Sequence, residues 1–387
     1  MTSSTLQSML TTIDQVVMTD LVREALHDDT VAIADWQVQE LHSGGSGSRI
    51  FRVTGEAHAR GAPAPWSLIL KFFDLQREGF QAASDDIDAW DYWKREWLVY
   101  QAPWLHDLPG NVVAPRCLGA ADHPGVAAWV ALEDLQHVDQ RPWSLARFQT
   151  VARHLGAFNG AYLAGREMPT DAWLSHDWLR GWTERSAPMV ALLPTVADQP
   201  LVQQIFSDSA ITELLRFWEE RHAFYDALQA LPQTLCHLDI FPRNVFVRPT
   251  AHGDQSVAID WAFCGRAAAG EELGALIGAS FFLFEADPTT AAELQARCIE
   301  GYLDGLRETG WRGNDADVRF AAFAALALRF GIGALAPILG FALDETVRGV
   351  VEQIFGRPFG EVIRNIRATM DYEERCIVEA RRLLEAR

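Results

Sequence analysis

Apolar positions along this chain follow two rhythms, and the switch between them divides it. Ile13, Val16, Val17, Leu21 and Leu26 recur at helical spacing among Asp and Glu, which predicts an amphipathic helix over residues 13–27. Residues 36–41 and 49–54 alternate and predict two strands around His42-Ser43-Gly44-Gly45-Ser46-Gly47-Ser48. A turn-rich stretch, 55–65, leads into Trp66-Ser67-Leu68-Ile69-Leu70-Lys71-Phe72-Phe73, an apolar strand that carries one lysine. Trp90, Trp93, Trp97 and Tyr100 stand at helical spacing and predict a helix over 88–101, with Glu96 at the border of the aromatic stripe. Strands over 112–118 and 126–132 complete an antiparallel sheet of about five strands.

Beyond residue 133 the period becomes helical. Helices are predicted over 145–163 and 201–231, with a tryptophan-rich piece (Trp173, Trp178, Trp182) between them that either packs the core or walls a substrate pocket. Two short strands, 244–247 and 256–260, are joined by turn residues, and further helices follow over 271–283, 291–307, 315–330, 344–355 and 360–384. The apolar run 320–343 is interrupted by Arg329, Gly331, Gly333, Pro337 and Gly340, so it reads as buried helices and not as a membrane span. The class is α+β, with a small antiparallel-sheet lobe first and a large helical lobe after it.

At 387 residues and 49% hydrophobic the chain can fill more than one core. A formal charge of −19, from 33 basic and 52 acidic residues, argues against nucleic acid or an anionic membrane as partner. The same charge would draw in a cationic substrate; a soluble surface accounts for it as well, because net charge does not say where the acids lie. Five widely spaced cysteines, with no C-x-x-C pair, fit reduced thiols, and Cys236 reads as a small buried hydrophobe. The first residues have neither a charged n-region nor an apolar h-region, and the expectation is a cytoplasmic protein.

The chemistry concentrates in His237-Leu238-Asp239-Ile240-Phe241-Pro242-Arg243-Asn244, followed by Ile259-Asp260-Trp261. A hairpin between them would carry Asp260 back beside Asn244. Phosphoryl transfer needs little covalent help; it needs an aligned hydroxyl and neutralised phosphate charge. Asp239 can orient that hydroxyl or take its proton, and Asn244 and Asp260 are hard oxygen donors suited to Mg²⁺. Lys71, embedded in an apolar strand, has to find a carboxylate or a phosphate, because an unpaired buried ammonium is expensive. Glu96 can reach it, with Asp91 and Glu78 as competitors. The loop Gly44 to Ser48 can lay N–H groups against phosphates, although a flexible turn has the same composition.

The layout H-x-D-x-x-x-x-N, hairpin, I-D-W resembles the aminoglycoside phosphotransferase and choline kinase-like family, relatives of the protein kinases. The resemblance covers nearly the whole chain and implies a protein-kinase-like two-lobe fold: residues 1–132 as the N-lobe, 133–137 as the hinge, and 138–387 as the helical C-lobe. It implies that His237 braces the loop, Asp239 is catalytic, and Asn244 and Asp260 bind Mg²⁺. ATP would lie with its phosphates under Gly44, Gly45, Ser46, Gly47 and Ser48 and against Lys71, held in register by Glu96. Its adenine edge would meet the backbone around Glu133 and Leu135.

Many relatives read H-G-D where this chain has Leu238, and carry a polar residue where it has Phe241. Arg243 either takes that polar role or pairs with a nearby carboxylate. Glu272, at a predicted helix start, either anchors the 237–244 loop or answers the helix dipole. Only residues 261–270 separate Asp260 from Glu271, which leaves no room for the peptide platform of a protein kinase. The expected activity is therefore transfer of the γ-phosphate of ATP to a hydroxyl of a small molecule, aminoglycoside-like, an amino alcohol or another natural product. A nucleotide-binding pseudokinase is the alternative. Acids that could hold an amine include Glu285, Asp287, Asp344, Glu345, Asp371, Glu373 and Glu374, though caps and solvated faces explain the same pattern.

Overall fold

The computed structural model describes residues 12–41, 48–75, 83–124, 127–135 and 142–387. The predicted loop positions Gly44, Gly45, Ser46 and Gly47, the hinge residues 136–137 and Glu78 lie outside the described residues.

The N-lobe is a five-stranded antiparallel sheet made of β1 (Ala32–Leu41), β2 (Arg49–Ala59), β3 (Ala62–Phe73), β5 (Cys117–His123) and β6 (Ala127–Glu133), in the order β1-β2-β3-β6-β5. Alternation builds it: Trp66, Leu68, Leu70 and Phe72 of β3 are buried with Phe51 and Val53 of β2, and the rings of Phe51 and Phe72 meet edge to face at 5.8 Å. The helix Gln15–Leu26 covers the outside of this sheet with Met18, Leu21 and Val22. Asp14 caps it by accepting the N–H groups of Val16 and Val17.

Residues 112–118 are not one strand. Val112–Val113 (β4) leaves the N-lobe and pairs in parallel with β9 (Gly253–Ala258), which in turn pairs with β8 (Val245–Thr250). Nor are residues 88–101 one helix: only Arg95–Val99 is helical. The preceding turns are held by Asp side chains, with Asp86 accepting from the Asp88 N–H and Asp85 from the Trp93 indole, while Arg95 takes the carbonyls of Ala89 and Trp90. Those bonds compete with a helical ladder.

In the C-lobe the helices Leu145–Leu163 and Ala291–Glu308 cross at near backbone contact. A Cβ added to Gly156 or Gly305 would stand 2.0 Å from the carbonyl oxygen of Tyr302 or Arg153. The predicted helix 201–231 is broken into Pro200–Ile205 and Asp208–Gln229, because Ser207 caps the second piece through the Ala210 N–H. The predicted helix over 271–283 is a π-helical turn, Ala275–Ala279, running into Ser280–Phe282. Asp315–Leu326 passes into another π-helical turn, Ala327–Ile332, before Leu335–Leu343. The stretch Asp315–Gly340 is long and apolar enough to cross a membrane, yet 88% of its most apolar window is buried inside the lobe. A long helix, Phe359–Glu385, closes that side.

Candidate active site

Strand β3 delivers Lys71 to the gap between the lobes. Its Nζ donates to Glu96 Oε2 at 2.6 Å and to Asp260 Oδ1 at 3.0 Å, and its side chain is 6% exposed. Burial alone would pull the ammonium down, but the Asp260 and Glu96 carboxylates outweigh it and hold it up at about 12. The same ammonium keeps Asp260 below the ordinary carboxylate range against the opposing effect of burial. Strand, short helix and C-lobe hairpin thus meet at one nitrogen.

The hairpin supplies the other side. Val245 of β8 pairs with Ala258 of β9, and the Ile259 N–H donates to the Asn244 carbonyl at 2.9 Å, so Asp260 follows directly beside Asn244. Asn244 Nδ2 donates to both the backbone carbonyl and Oδ2 of Asp239, at 3.0 and 2.9 Å, which leaves its amide oxygen for another partner. Asp239, whose carboxyl burial pushes up to about 6 with the Arg329 guanidinium offsetting part of that, pairs with Arg329 through Oδ1. Asn244 and Asp260 offer oxygen only, which fits Mg²⁺. Among the described residues no three His, Cys, Asp or Glu side chains form a metal cage. A site on these two residues would be completed by phosphate and water oxygens, the usual way this ion is held.

His237 is a brace. Its Nδ1 accepts the Asp239 N–H at 3.2 Å and its Nε2 lies 2.9 Å from the Ile259 carbonyl, to which it donates. Burial lowers its pKa to about 4, so it stays neutral and holds the 237–244 loop to the strand before Asp260. The fully buried ring of Trp261 packs against it at 4.4 Å. Leu238 and Asp260 both adopt positive φ, +67° and +64°. At position 238 that region suits glycine; here it is held by Glu272, whose Oε1 accepts the N–H groups of His237 and Leu238. Glu272 Oε2 accepts from Asn159, which also takes the Tyr302 hydroxyl. Glu272 is thus tied to the loop by its own bonds, beyond any answer to a helix dipole.

Ser48 is buried at the start of β2. The Glu133 side chain turns to the Arg116 N–H and the Arg248 guanidinium, joining the sheet to the C-lobe hairpin, and Asp134 takes Arg52 and the Ser67 hydroxyl. Neither is a free surface acid. Leu135 is buried. Arg243 pairs with Glu285 at 2.6 Å and with the Leu283 carbonyl, so it takes the carboxylate of its two expected roles. Trp178 and Trp182 stack at 5.5 Å and flank Arg329.

Two residues carry weight that the sequence pattern did not reveal. Arg329 had a signal, since a lone charge in an apolar run must find a partner. Arg95 had none: fully buried, it donates to the carbonyls of Trp173, Trp90, Ala262 and Ala89, tying the short helix of Glu96 to the loop after Asp260.

Between Asp260 and Glu272 the chain forms only β10 (Gly265–Ala268), paired with β7 (Gln233–Cys236). With that arrangement, a family model described as the phosphotransferase enzyme family matches residues 37–313. The chain belongs to that family.

Solved structures share the fold. An aminoglycoside phosphotransferase from Alicyclobacillus acidocaldarius aligns with a TM-score of 0.53 at 15% identity, covering 94% of this chain and 96% of that one. A microcompartment-associated aminopropanol kinase aligns at 0.51 and 17% identity, covering 94% and 98%. An amicoumacin kinase in complex with AMP-PNP, Ca²⁺ and its ligand aligns at 0.50 and 15%, covering 87% and 88%. Comparison with proteins of curated function gives no match.

Proposed function

We propose that this chain is a kinase that moves the γ-phosphoryl group of ATP to a hydroxyl of a small molecule. The observation that carries the reading is the convergence of Lys71, Glu96 and Asp260 at one point, beside the bonded pair Asp239 and Asn244. Lys71 is placed to hold phosphate oxygens, and Glu96 keeps it there. Asn244 and Asp260 would hold Mg²⁺, which when bound supplies positive charge at the phosphates. Asp239 orients the acceptor hydroxyl and receives its proton as the oxygen attacks. His237 and Glu272 fix the loop so that this carboxylate does not wander. The short link from Asp260 to Glu272 favours a small acceptor over a protein.

A coupled ADP-release screen with Mg²⁺ across hydroxylated amines, sugars and antibiotics tests the reading. Turnover with at least one acceptor, lost in Asp239→Ala while nucleotide still binds, supports it. Nucleotide binding without turnover on any acceptor, and no difference between wild type and Asp239→Ala, would assign the chain to the non-catalytic alternative.

A further inference from the structure

The carboxylate of Asp239 already has a cation beside it. Arg329, raised on the π-helical turn Ala327–Ile332, pairs with Asp239 Oδ1 and donates to the Leu238 carbonyl. Its guanidinium carbon lies 4.5 Å from the ring centre of Trp178, 5.2 Å from Phe330 and 5.7 Å from Trp182. A cation against aromatic faces and a carboxylate is the arrangement an amine-bearing substrate would itself require. Here the protein provides that cation, with its side chain 8% exposed. A second guanidinium, Arg185, lies 3.5 Å over Trp182, so the positive charge on this wall is doubled.

Several of the acids that could receive an amine are engaged elsewhere, and Glu373, whose carboxyl oxygens have no hydrogen-bond partner, is buried. Glu285 is taken by Arg243, Asp371 by Arg367, and Asp344 caps the Thr346 N–H. An ammonium brought beside Asp239 would therefore meet like charge, or would have to displace a buried guanidinium and strand it. At a separation of roughly 6 Å one like charge corresponds to a factor on the order of tenfold to a hundredfold, which the Asp239 carboxylate paired with Arg329 offsets in part. A neutral hydroxyl or ring oxygen meets no such barrier, and a substrate carboxylate lying toward Arg185 and Arg329, away from Asp239, meets cations.

The geometry points to Arg329 as the residue that sets acceptor charge: the acceptor is neutral or anionic near its reactive hydroxyl, and ammonium-bearing acceptors are excluded. This rests on the kinase reading above and reverses the expectation drawn from net charge.

The test uses three probes with one ring skeleton, glucosamine, glucose and glucuronate, offered to the full chain with ATP and Mg²⁺. For each, the half-effect concentration is read, whether the probe raises ADP release as an acceptor or suppresses background hydrolysis as an occupant. Wild type is expected to respond to glucose or glucuronate at concentrations at least tenfold below glucosamine. Arg329→Gln should narrow that ratio, and Arg329→Lys, which keeps the charge, should preserve it even at reduced rate. Equal or better response to glucosamine in wild type, an unchanged ratio in a folded Arg329→Gln, or no response to any probe would each overturn the assignment. Nucleotide binding without turnover on any acceptor of the wider screen would instead remove the kinase reading beneath it.

Discussion

Glu272 accepts the backbone N–H of Leu238 at 3.0 Å, and Leu238 sits at φ +67°, where an aliphatic residue is strained. The carboxylate also holds the His237 N–H and the Asn159 amide, so one buried side chain fixes the loop that presents Asp239. Glu272→Ala leaves these donors unpaired, and we expect a loss of roughly 3 kcal/mol or more in urea unfolding. Glu272→Gln keeps one acceptor oxygen and should lose less stability while still lowering kcat. Equal stability of wild type and Glu272→Ala would show that the loop is held by other means.

Lys71 joins three elements through two carboxylates, and breaking a buried pair from one side strands the other charge. Lys71→Met should weaken ATP binding and destabilise the fold by about 3 kcal/mol. Adding Glu96→Leu should recover part of that stability without recovering ATP binding. The check is a double-mutant cycle in unfolding free energy; strictly additive losses would mean that the pair is not coupled.

The fold was legible where periodicity is strong and local. The strand carrying Lys71, the helix Leu145–Leu163 and the hairpin that returns Asp260 to Asn244 follow from apolar rhythm and turn residues alone. What the rhythm misplaced was decided by side chains bonding to backbone. The aromatic stripe from Trp90 to Tyr100 has helical spacing, yet its first half is turns held by Asp85, Asp86 and Arg95. Within the site, residues bound by a short motif were visible, and Glu272 was legible as one of two readings, the loop's anchor, which its bonds bear out, whereas Arg329 reaches Asp239 from 90 positions away. Leu238 looked like a departure from H-G-D; its positive φ explains why glycine suits that position and why this chain needs Glu272 to hold it.

Arg95 spends its guanidinium on four carbonyls, and no other side chain links the Glu96 helix to Ala262 in this way among the described residues. Arg95→Met preserves much of the packing but leaves those carbonyls without their donor. A stability loss of roughly 3 kcal/mol is expected, together with a raised KM for ATP as Glu96 loses its position. If KM is unchanged while stability falls, the residue serves the core and not the site.

Glu271, partly buried beside the start of the loop's anchor, has its carboxyl pushed by burial up to about 7 from an ordinary value of 4.5. The folded chain therefore keeps this proton to higher pH than the unfolded chain does. Its stabilising share is fully present below about pH 4.5 and is lost as pH rises to about 7. Glu271→Gln cannot ionise, so its Tm should fall less steeply than that of wild type across this window and run parallel above it. Parallel curves throughout the window would contradict the assignment.

On the proposed reading Asp239 acts on a hydroxyl while Lys71, Asn244 and Asp260 hold the nucleotide end. Its most direct measurement is paired: the rate of ADP formation and the affinity for nucleotide, in wild type and Asp239→Asn, with Mg²⁺ present. The account predicts a rate lower by a factor on the order of a thousand with nucleotide affinity unchanged. A variant that turns over at the wild-type rate would contradict it.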